Sequence, residues 1–565
     1  MIIWIGAVIA AAKTILNLPY KFGTGFLCPH QGNWKLRFAN VSNLNSNDLC
    51  ETLNDPGDYH QNNGPLPETI IRMVLMTANR VQGKHFVAAA WRLTCLSILI
   101  GVVCGTTAYC NNIAVTYVTT MGQDTGTDTV LVQFDLAWEN SWRNPIKRDA
   151  AWLFVKYRNP AMTGDWAHAT LSSTSPVHTA PAGSTIDAVP GGTGVFIYRS
   201  ATGTGNVNFG GVQLLWNYGA DGVGDNDWVD VDVLAIEMVH VPTGAFAAGS
   251  GGQESFPFTL TTINTADATV APGGSGSLGG QAGGYPTGQD APDNASWPNG
   301  FSAFYCMKYE ISQGQYTDFL NSLTAAQAGN RFPDVNGMDR HTIDGSHPNF
   351  TAAVPDRAGN YLSWADGAAY ADWSGLRPMT ELEYEKACRG TKAPVQDEYA
   401  WGTTGIYSAH YTLANDGTPM AQISDMGTGL GNVSYTQTAA NYNGPLRCGI
   451  FAASVVTLDR VETGASFYGI MELSGNLCER PVTIGNATGR AFTGNHGDGD
   501  LNPEGFMNVG GWPNESGNGG GLRGGAYQRD VGELRVSDRK QAMAGVWARI
   551  SYYGFRGVRS AEPAP

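Results

Sequence analysis

Between residues 130 and 236 the apolar side chains come in five short runs, and this spacing most constrains what the chain can fold into. The runs are VLVQFDLAW (130–138), AWLFVKY (151–157), VFIY (195–198), VQLLW (212–216) and WVDVDVLAI (228–236). They alternate or run apolar over lengths typical of strands, and clusters of Gly, Pro, Asn and Asp separate them. The pattern predicts an all-β sandwich domain over residues 112–236. The acidic loop from Asp221 through Asp225 to Asp227 has oxygen ligands at calcium-like spacing. It lacks the Glu that closes an EF-hand loop and reads as a solvated turn.

The pattern changes after residue 236. Residues 247–298 are rich in Gly, Ser, Thr, Ala and Pro, a composition that buries little apolar surface, and read as a flexible loop. From residue 300 helical and strand signals mix. Ser312 and Gln315 form a capping-box pattern that opens a helix through Leu323. Ser363 opens a second helix ending at Gly375, and Thr380 with Glu383 opens a third ending at Gly390. Beyond them come loops and scattered strands, as 73 glycines and only 15% charged residues in 565 lead one to expect. The fold class is therefore α+β. The formal net charge of -15 opposes a polyanionic partner, so no nucleic acid is expected.

An apolar segment at residues 93–104 (LTCLSILIGVVC) follows Lys84, His85 and Arg92 and precedes small residues ending at Ala108. That order is the signature of a secretory signal, placed at residues 86–108. It is shorter than the roughly 20 residues a spanning helix needs. The mature chain is accordingly expected to lack a stable membrane span and to be secreted or displayed at the cell surface. Residues 1–85 are either sequence upstream of the true start or a genuine extension with an anchor helix. Of nine cysteines, Cys110, Cys306, Cys388, Cys448 and Cys478 follow Ala108. No CxxC pair points to zinc, and spacing assigns no disulfide.

Several ordered blocks carry a family resemblance. They are MVHVPTGAF (238–246), FYCMKYEISQGQYTDFL (304–320), Leu362-Ser-Trp364 with AAYADW, and GLRPMTELEYEKACRG (375–390). Ala400-Trp401-Gly402, YGIMELSGN (468–476), Leu522-Arg-Gly-Gly-Ala-Tyr527 and Gly554-Phe-Arg-Gly-Val-Arg559 complete the series. Together these resemble the formylglycine-generating, or sulfatase-modifying factor, family. The resemblance implies a loop-rich C-type-lectin-like domain over residues 237–562, following the β-sandwich.

The resemblance also implies structural Ca²⁺. Its ligands would be Glu472, the carbonyls of Gly475 and Leu477, and Glu479, with a second site at Asn441 and the carbonyl of Tyr442. Carboxylates bracketing a Gly turn suit a large, hard cation; alternatively Glu472 and Glu479 pair with Arg480, Arg447 or solvent. The family's oxidase chemistry uses copper held by two thiolates, a soft-ligand site. Arg529 and Leu534 stand in those positions and no cysteine follows Cys478, so no copper is expected. Cys478 reads as a small buried residue or a half-disulfide. His496, Asp498 and Asp500 offer only a weak metal signal on one loop.

What remains is binding. Gln528, Arg529, Asp530, Trp547, Arg549, Tyr552 and Tyr553 are the candidate ligand-facing residues, Arg and Trp being enriched at binding hot spots. Arg535, Asp538 and Arg539 read as part of a structural core network. The expectation is an exported, non-catalytic protein that recognises a glycan or a cell-surface protein. Two alternatives are a variable protein of a diversity-generating retroelement, which shares this fold and a similar Gly-Phe-Arg ending, and a sulfatase-modifying-type enzyme of altered chemistry.

Overall fold

The computed structural model of the chain describes residues 24–30, 33–39, 113–160, 164–268, 292, 294–455, 459–544 and 547–561. Two compact units divide it, residues 1–105 and 106–565. In the first, strands Thr24–His30 and Asn33–Ala39 pair antiparallel. The remainder of the extension over 1–85, the secretory segment over 86–108, and residues 269–291 of the Gly/Ser-rich stretch lie outside the described residues.

The second unit is built around two antiparallel sheets. The smaller one has the order β1 (Ala114–Asp124), β2 (Thr129–Arg143), β7 (Gly203–Trp216). Burial alternates along β2, with Val130, Val132, Phe134, Leu136 and Trp138 turned inward. The larger sheet has β3 (Asp149–Arg158) near its middle. On one side β3 pairs with β6 (Val195–Arg199), which pairs with β5 (Ser184–Ala188). The short β4 (Trp166–His168) also pairs with β3. On the other side β3 pairs with β8 (Asp230–Val241). The sheet continues through β11 (Phe304–Met307), β13 (Gly557–Ser560) and β12 (Arg377–Pro378).

Nearly all of β3 is buried because both its faces are covered. Ala151, Leu153, Val155 and Tyr157 join the core shared with β2 and β7. Ala150, Trp152 and Phe154 point the other way into a second core with Phe196, Tyr305 and Trp373. Phe154 meets Trp373 edge-on at 5.1 Å, and Phe196 stacks on Tyr305 at 3.8 Å. Each such buried aromatic contributes roughly 1.5–3 kcal/mol by removal from water.

The larger sheet runs across the boundary expected between residues 236 and 237. That boundary falls inside β8, which pairs with β3 through Asp230–Val239 and with β11 through Met238–Val241. The N-terminal β layers and the C-terminal body share one sheet. Residues 247–268 are also more ordered than their composition implies. β9 (Phe246–Ala248) pairs with β10 (Thr261–Ile263), and Phe258, Ile263 and Ala268 are buried in the second core. A few apolar anchors suffice to hold such a segment when a neighbouring surface exists to receive them.

All three expected helices are present, each with a complete capping box. They are α1 (Gln313–Asn321), α3 (Trp364–Trp373) and α4 (Glu381–Arg389). A further helix, α2 (Ala325–Arg331), starts from Thr324 with the same device. No helix among the described residues is long and apolar enough to cross a membrane.

Candidate functional site

The C-terminal surface rests on a buried charge lattice anchored in α4. Glu381 accepts from Arg523 at 2.9 Å and from Arg539 at 2.7 Å. Arg523 also donates to Glu385 at 2.8 Å and to the Val536 carbonyl at 2.7 Å. Burial alone would raise the Glu381 carboxyl, but Arg539 and Arg523 outweigh it and hold it below the usual range. Arg523 and Arg539 flank the loop 524–538, so α4 grips that loop at both ends. Arg539 therefore belongs to the structural network, as expected. Asp538 accepts from the Ser255 backbone, and Arg535 donates to Asp397 on the partly exposed side.

Gly524 and Gly525 set the direction in which the loop leaves this lattice. Both have positive φ (81° and 65°), and a Cβ at Gly524 would meet the Leu473 carbonyl at 2.7 Å. The tight turn buries Ala526 and Tyr527 and delivers Gln528 and Asp530 to the surface. Arg529, half-buried between them, donates to the Tyr552 hydroxyl at 2.8 Å and to Gln541 Oε1 at 3.0 Å. Its guanidinium lies 4.3 Å from the Tyr552 ring centroid, and its Nε is 3.6 Å from Glu533 Oε2. Glu533 in turn accepts from Lys540 and Gln541 at 2.9 and 2.8 Å.

The seven expected ligand-facing residues thus separate. Gln528, Asp530 and Trp547 are exposed, Trp547 at 73%. Arg529 and Tyr552 form a half-buried pair. Arg549 is withdrawn: it clamps Asp366 with two hydrogen bonds of 2.8 Å and donates to the carbonyls of Phe332 and Asn330. Asp366 also completes the capping box of α3, so Arg549 locks a helix start. Tyr553 is buried with its ring centroid 4.6 Å from the Arg480 guanidinium. Sequence reasoning did not single out Glu533 or Gln541; the i,i+4 spacing of Arg529 and Glu533 was the available signal.

No exposed thiol is present among the described residues. Cys306, Cys388, Cys448 and Cys478 are free and buried. Burial pushes the thiols of Cys388 and Cys478 up to about 12, so neither is a thiolate at neutral pH. Leu534 is fully buried beside Tyr399, Trp401, Val433 and Tyr435. Arg529 and Leu534 are therefore a guanidinium tied to neighbours and a core leucine.

Around Glu472 the chain coils tightly, with positive φ at Glu472, Gly475 and Asn476. Gly449 N–H donates to Glu472 Oε1 at 2.9 Å, and Arg556 Nε donates to Glu479 Oε1 at 2.8 Å. Arg556 is thus the ion partner of Glu479, rather than Arg480 or Arg447. The second oxygen of each carboxylate is buried without a hydrogen-bond donor. Burial pushes the Glu472 carboxyl up to about 7 and raises that of Glu479 despite Arg556. A third buried acid, Glu310, accepts from Asn476 Nδ2 and the Leu477 N–H. Two carboxylate oxygens are thus left without donors in an acid-rich interior, an arrangement that a hard cation could compensate, although no group of three or more His, Cys, Asp or Glu side chains among the described residues is placed to hold a metal ion. The second set differs. Asn441 is exposed, and the Tyr442 ring lies 5.6 Å from the guanidinium of Arg340, which is paired with Asp416.

The other acidic motifs are absorbed by the fold. Asp221 accepts from Thr170 and Trp216, Asp225 from Tyr218, and Asp227 from Asn159. His496 Nε2 accepts from the Ser560 N–H, while the buried Lys156 donates to the Gly499 carbonyl.

Residues 235–561 match the family model described as the sulfatase-modifying factor enzyme 1-like domain. A formylglycine-generating enzyme of Bos taurus is 28% identical over 115 residues, covering 16% of this chain and 31% of that protein. One of Streptomyces coelicolor is 38% identical over 69 residues, covering 12% and 21% respectively. The chain therefore spans less than a third of the length of these curated relatives.

Proposed function

Since the chain belongs to the sulfatase-modifying factor enzyme 1-like family through residues 235–561, we propose that it is an exported, non-catalytic recognition protein that has kept the family scaffold and lost the family oxidation. On this reading the C-terminal body has a C-type-lectin-like fold, supported by Ca²⁺ and preceded by a β-sandwich. One observation carries the proposal. At the positions matching the paired thiolates, Arg529 is held by Tyr552 and Gln541, and Leu534 is sealed in the core. Neither can bind copper(I) or form a disulfide with substrate.

The surface above that pair supports binding. Gln528 and Asp530 flank Arg529, and Trp547 is an exposed, rigid aromatic of the type that anchors glycans and protein partners. Glu472, Glu479 and the carbonyls of Gly475 and Leu477 would hold the calcium, whose chemistry here is structural charge compensation. The test is a glycan and surface-protein binding screen of the full chain, with Trp547→Ala and Arg529→Ala as comparisons. Saturable binding lost in both variants supports the reading. Copper-dependent conversion of a cysteine to an aldehyde in a sulfatase peptide, above background, would overturn it.

A further inference from the structure

A cavity of about 620 Å³ lies between the β2–β3 turn, the β6–β7 turn and the end of β8. It is lined by Arg143, Lys147, Arg148 and His240, with Pro145, Ile146 and Pro242 as its apolar wall. No carboxylate among the described residues lines it, although carboxylates outnumber Lys and Arg by 49 to 34 in the chain. Three cations gathered in one concavity of an acidic protein repel one another, and nothing in the lining compensates them.

The basic side chains are held in place by uncharged partners. Arg148 donates to the Tyr305 hydroxyl at 2.8 Å and lies 4.3 Å from the Tyr198 ring centroid; its Nε is buried without an acceptor. Arg143 donates to the Arg199 carbonyl and lies 5.2 Å from the same ring. Lys147 donates to the Phe467 carbonyl and sits 3.6 Å from the Phe467 ring centroid. Burial, then repulsion from Arg460 and Lys392, lowers the Lys147 ammonium to about 8. Two further cations therefore stand close behind the pocket. Asp187 accepts from the hydroxyl of Tyr198, the ring that Arg148 faces, and Glu398, close to Arg460, pairs with Arg389.

We propose that this cavity is a second ligand site, which takes a small organic oxyanion (a carboxylate, sulfate ester or phosphate ester) with a compact carbon skeleton. Arg143 and Lys147 supply half-buried charge, Arg148 a buried Nε donor without an acceptor, and the Pro145–Ile146–Pro242 wall the apolar contact. The volume is in the range of small-molecule sites. Most of the lining comes from residues 143–148 and 200–202, outside the stretch that matches the family model, so the site belongs to this chain's N-terminal layers.

The experiment is isothermal titration of the full chain with inorganic sulfate, inorganic phosphate, citrate and glucose 6-phosphate, with glucose as the neutral control. Saturable binding of at least one anion, weakening as salt rises and absent for glucose, is expected. Arg143→Gln and Lys147→Gln should each weaken it about tenfold, equivalent to about 1.4 kcal/mol. A matched Lys540→Gln exchange on the C-terminal surface should leave it unchanged, and far-ultraviolet circular dichroism confirms that each variant is folded. The preferred anion distinguishes sulfate, phosphate and carboxylate ligands. No saturable binding of any of the four, or binding equally strong in folded Arg143→Gln and Lys147→Gln, overturns the proposal.

Discussion

Removing the Glu381 side chain should unlock the C-terminal surface from within. Glu381 is fully buried at the first position of α4. It accepts from Arg523, from Arg539 through two nitrogens, from Thr483 Oγ at 2.6 Å and from the Ile484 N–H at 3.2 Å. Glu381→Ala deletes the carboxylate that two interior guanidiniums share. Breaking a buried pair by removing one partner costs about 3–5 kcal/mol. Since whole domains are stable by about 5–15 kcal/mol, that is a large share of the total. Glu381→Gln keeps an acceptor oxygen but loses the charge, and should cost about 1.5–3 kcal/mol, the range for hydrogen bonds to charged groups. Urea unfolding followed by tryptophan fluorescence gives both values, and Glu381→Met combined with Arg539→Met should recover part of the loss. A Glu381→Ala cost below about 1 kcal/mol would refute the reasoning. The pH dependence has a definite sign. Because the folded carboxyl lies below its unfolded value of about 4.3, its contribution is present above that pH and is lost as pH falls through the folded value. The acid limb of the stability profile should therefore be flatter in Glu381→Gln than in the parent chain.

Other expectations are shorter to state. A chain beginning at residue 237 should be markedly less stable than one beginning at 112, because it cuts β8 and exposes the second core; limited proteolysis compares the two. Trp152→Ala, which also removes a hydrogen bond to the Ser374 carbonyl, should cost about 3–5 kcal/mol in the same urea assay. If calcium sits at Glu472 and Glu479, free Ca²⁺ at a hundredfold excess over Kd adds about 2.7 kcal/mol. Chelation should then lower the melting temperature of the parent but not of Glu472→Gln; equal shifts in both would remove that assignment.

Local signals in the sequence were readable because their physics is local. The alternation in VLVQFDLAW describes one buried face of β2, and two capping boxes and the Ser363 start signal mark α1, α4 and α3 to within a residue at their starts. The same device at Thr324 went unread because AAQAGNR carries no apolar stripe to announce a helix. The expected domain boundary is a different case. A strand that serves two modules has no internal break, so Asp230–Val241 reads as the end of one and the opening of the next. Long-range pairing was invisible. Nothing near Glu479 in the chain indicates that its partner is Arg556, 77 residues away, rather than the adjacent Arg480.

The candidate surface shows why motif position and side-chain role come apart. A helix or strand has a period, so one buried residue predicts its neighbours' directions; the segment from Gln528 to Tyr553 has none beyond one short 3-10 turn. There direction is set by contacts elsewhere. The α4 carboxylates hold Arg523 and Arg539, the positive φ of Gly524 and Gly525 turns the chain outward, and Asp366 draws Arg549 away to cap α3. Adjacent tyrosines then diverge, Tyr553 into the core and Tyr552 to the Arg529 guanidinium. That no cysteine follows Cys478 could be read from identity alone. Which residues form the surface depends on a lattice of buried charge whose members lie as much as 158 residues apart.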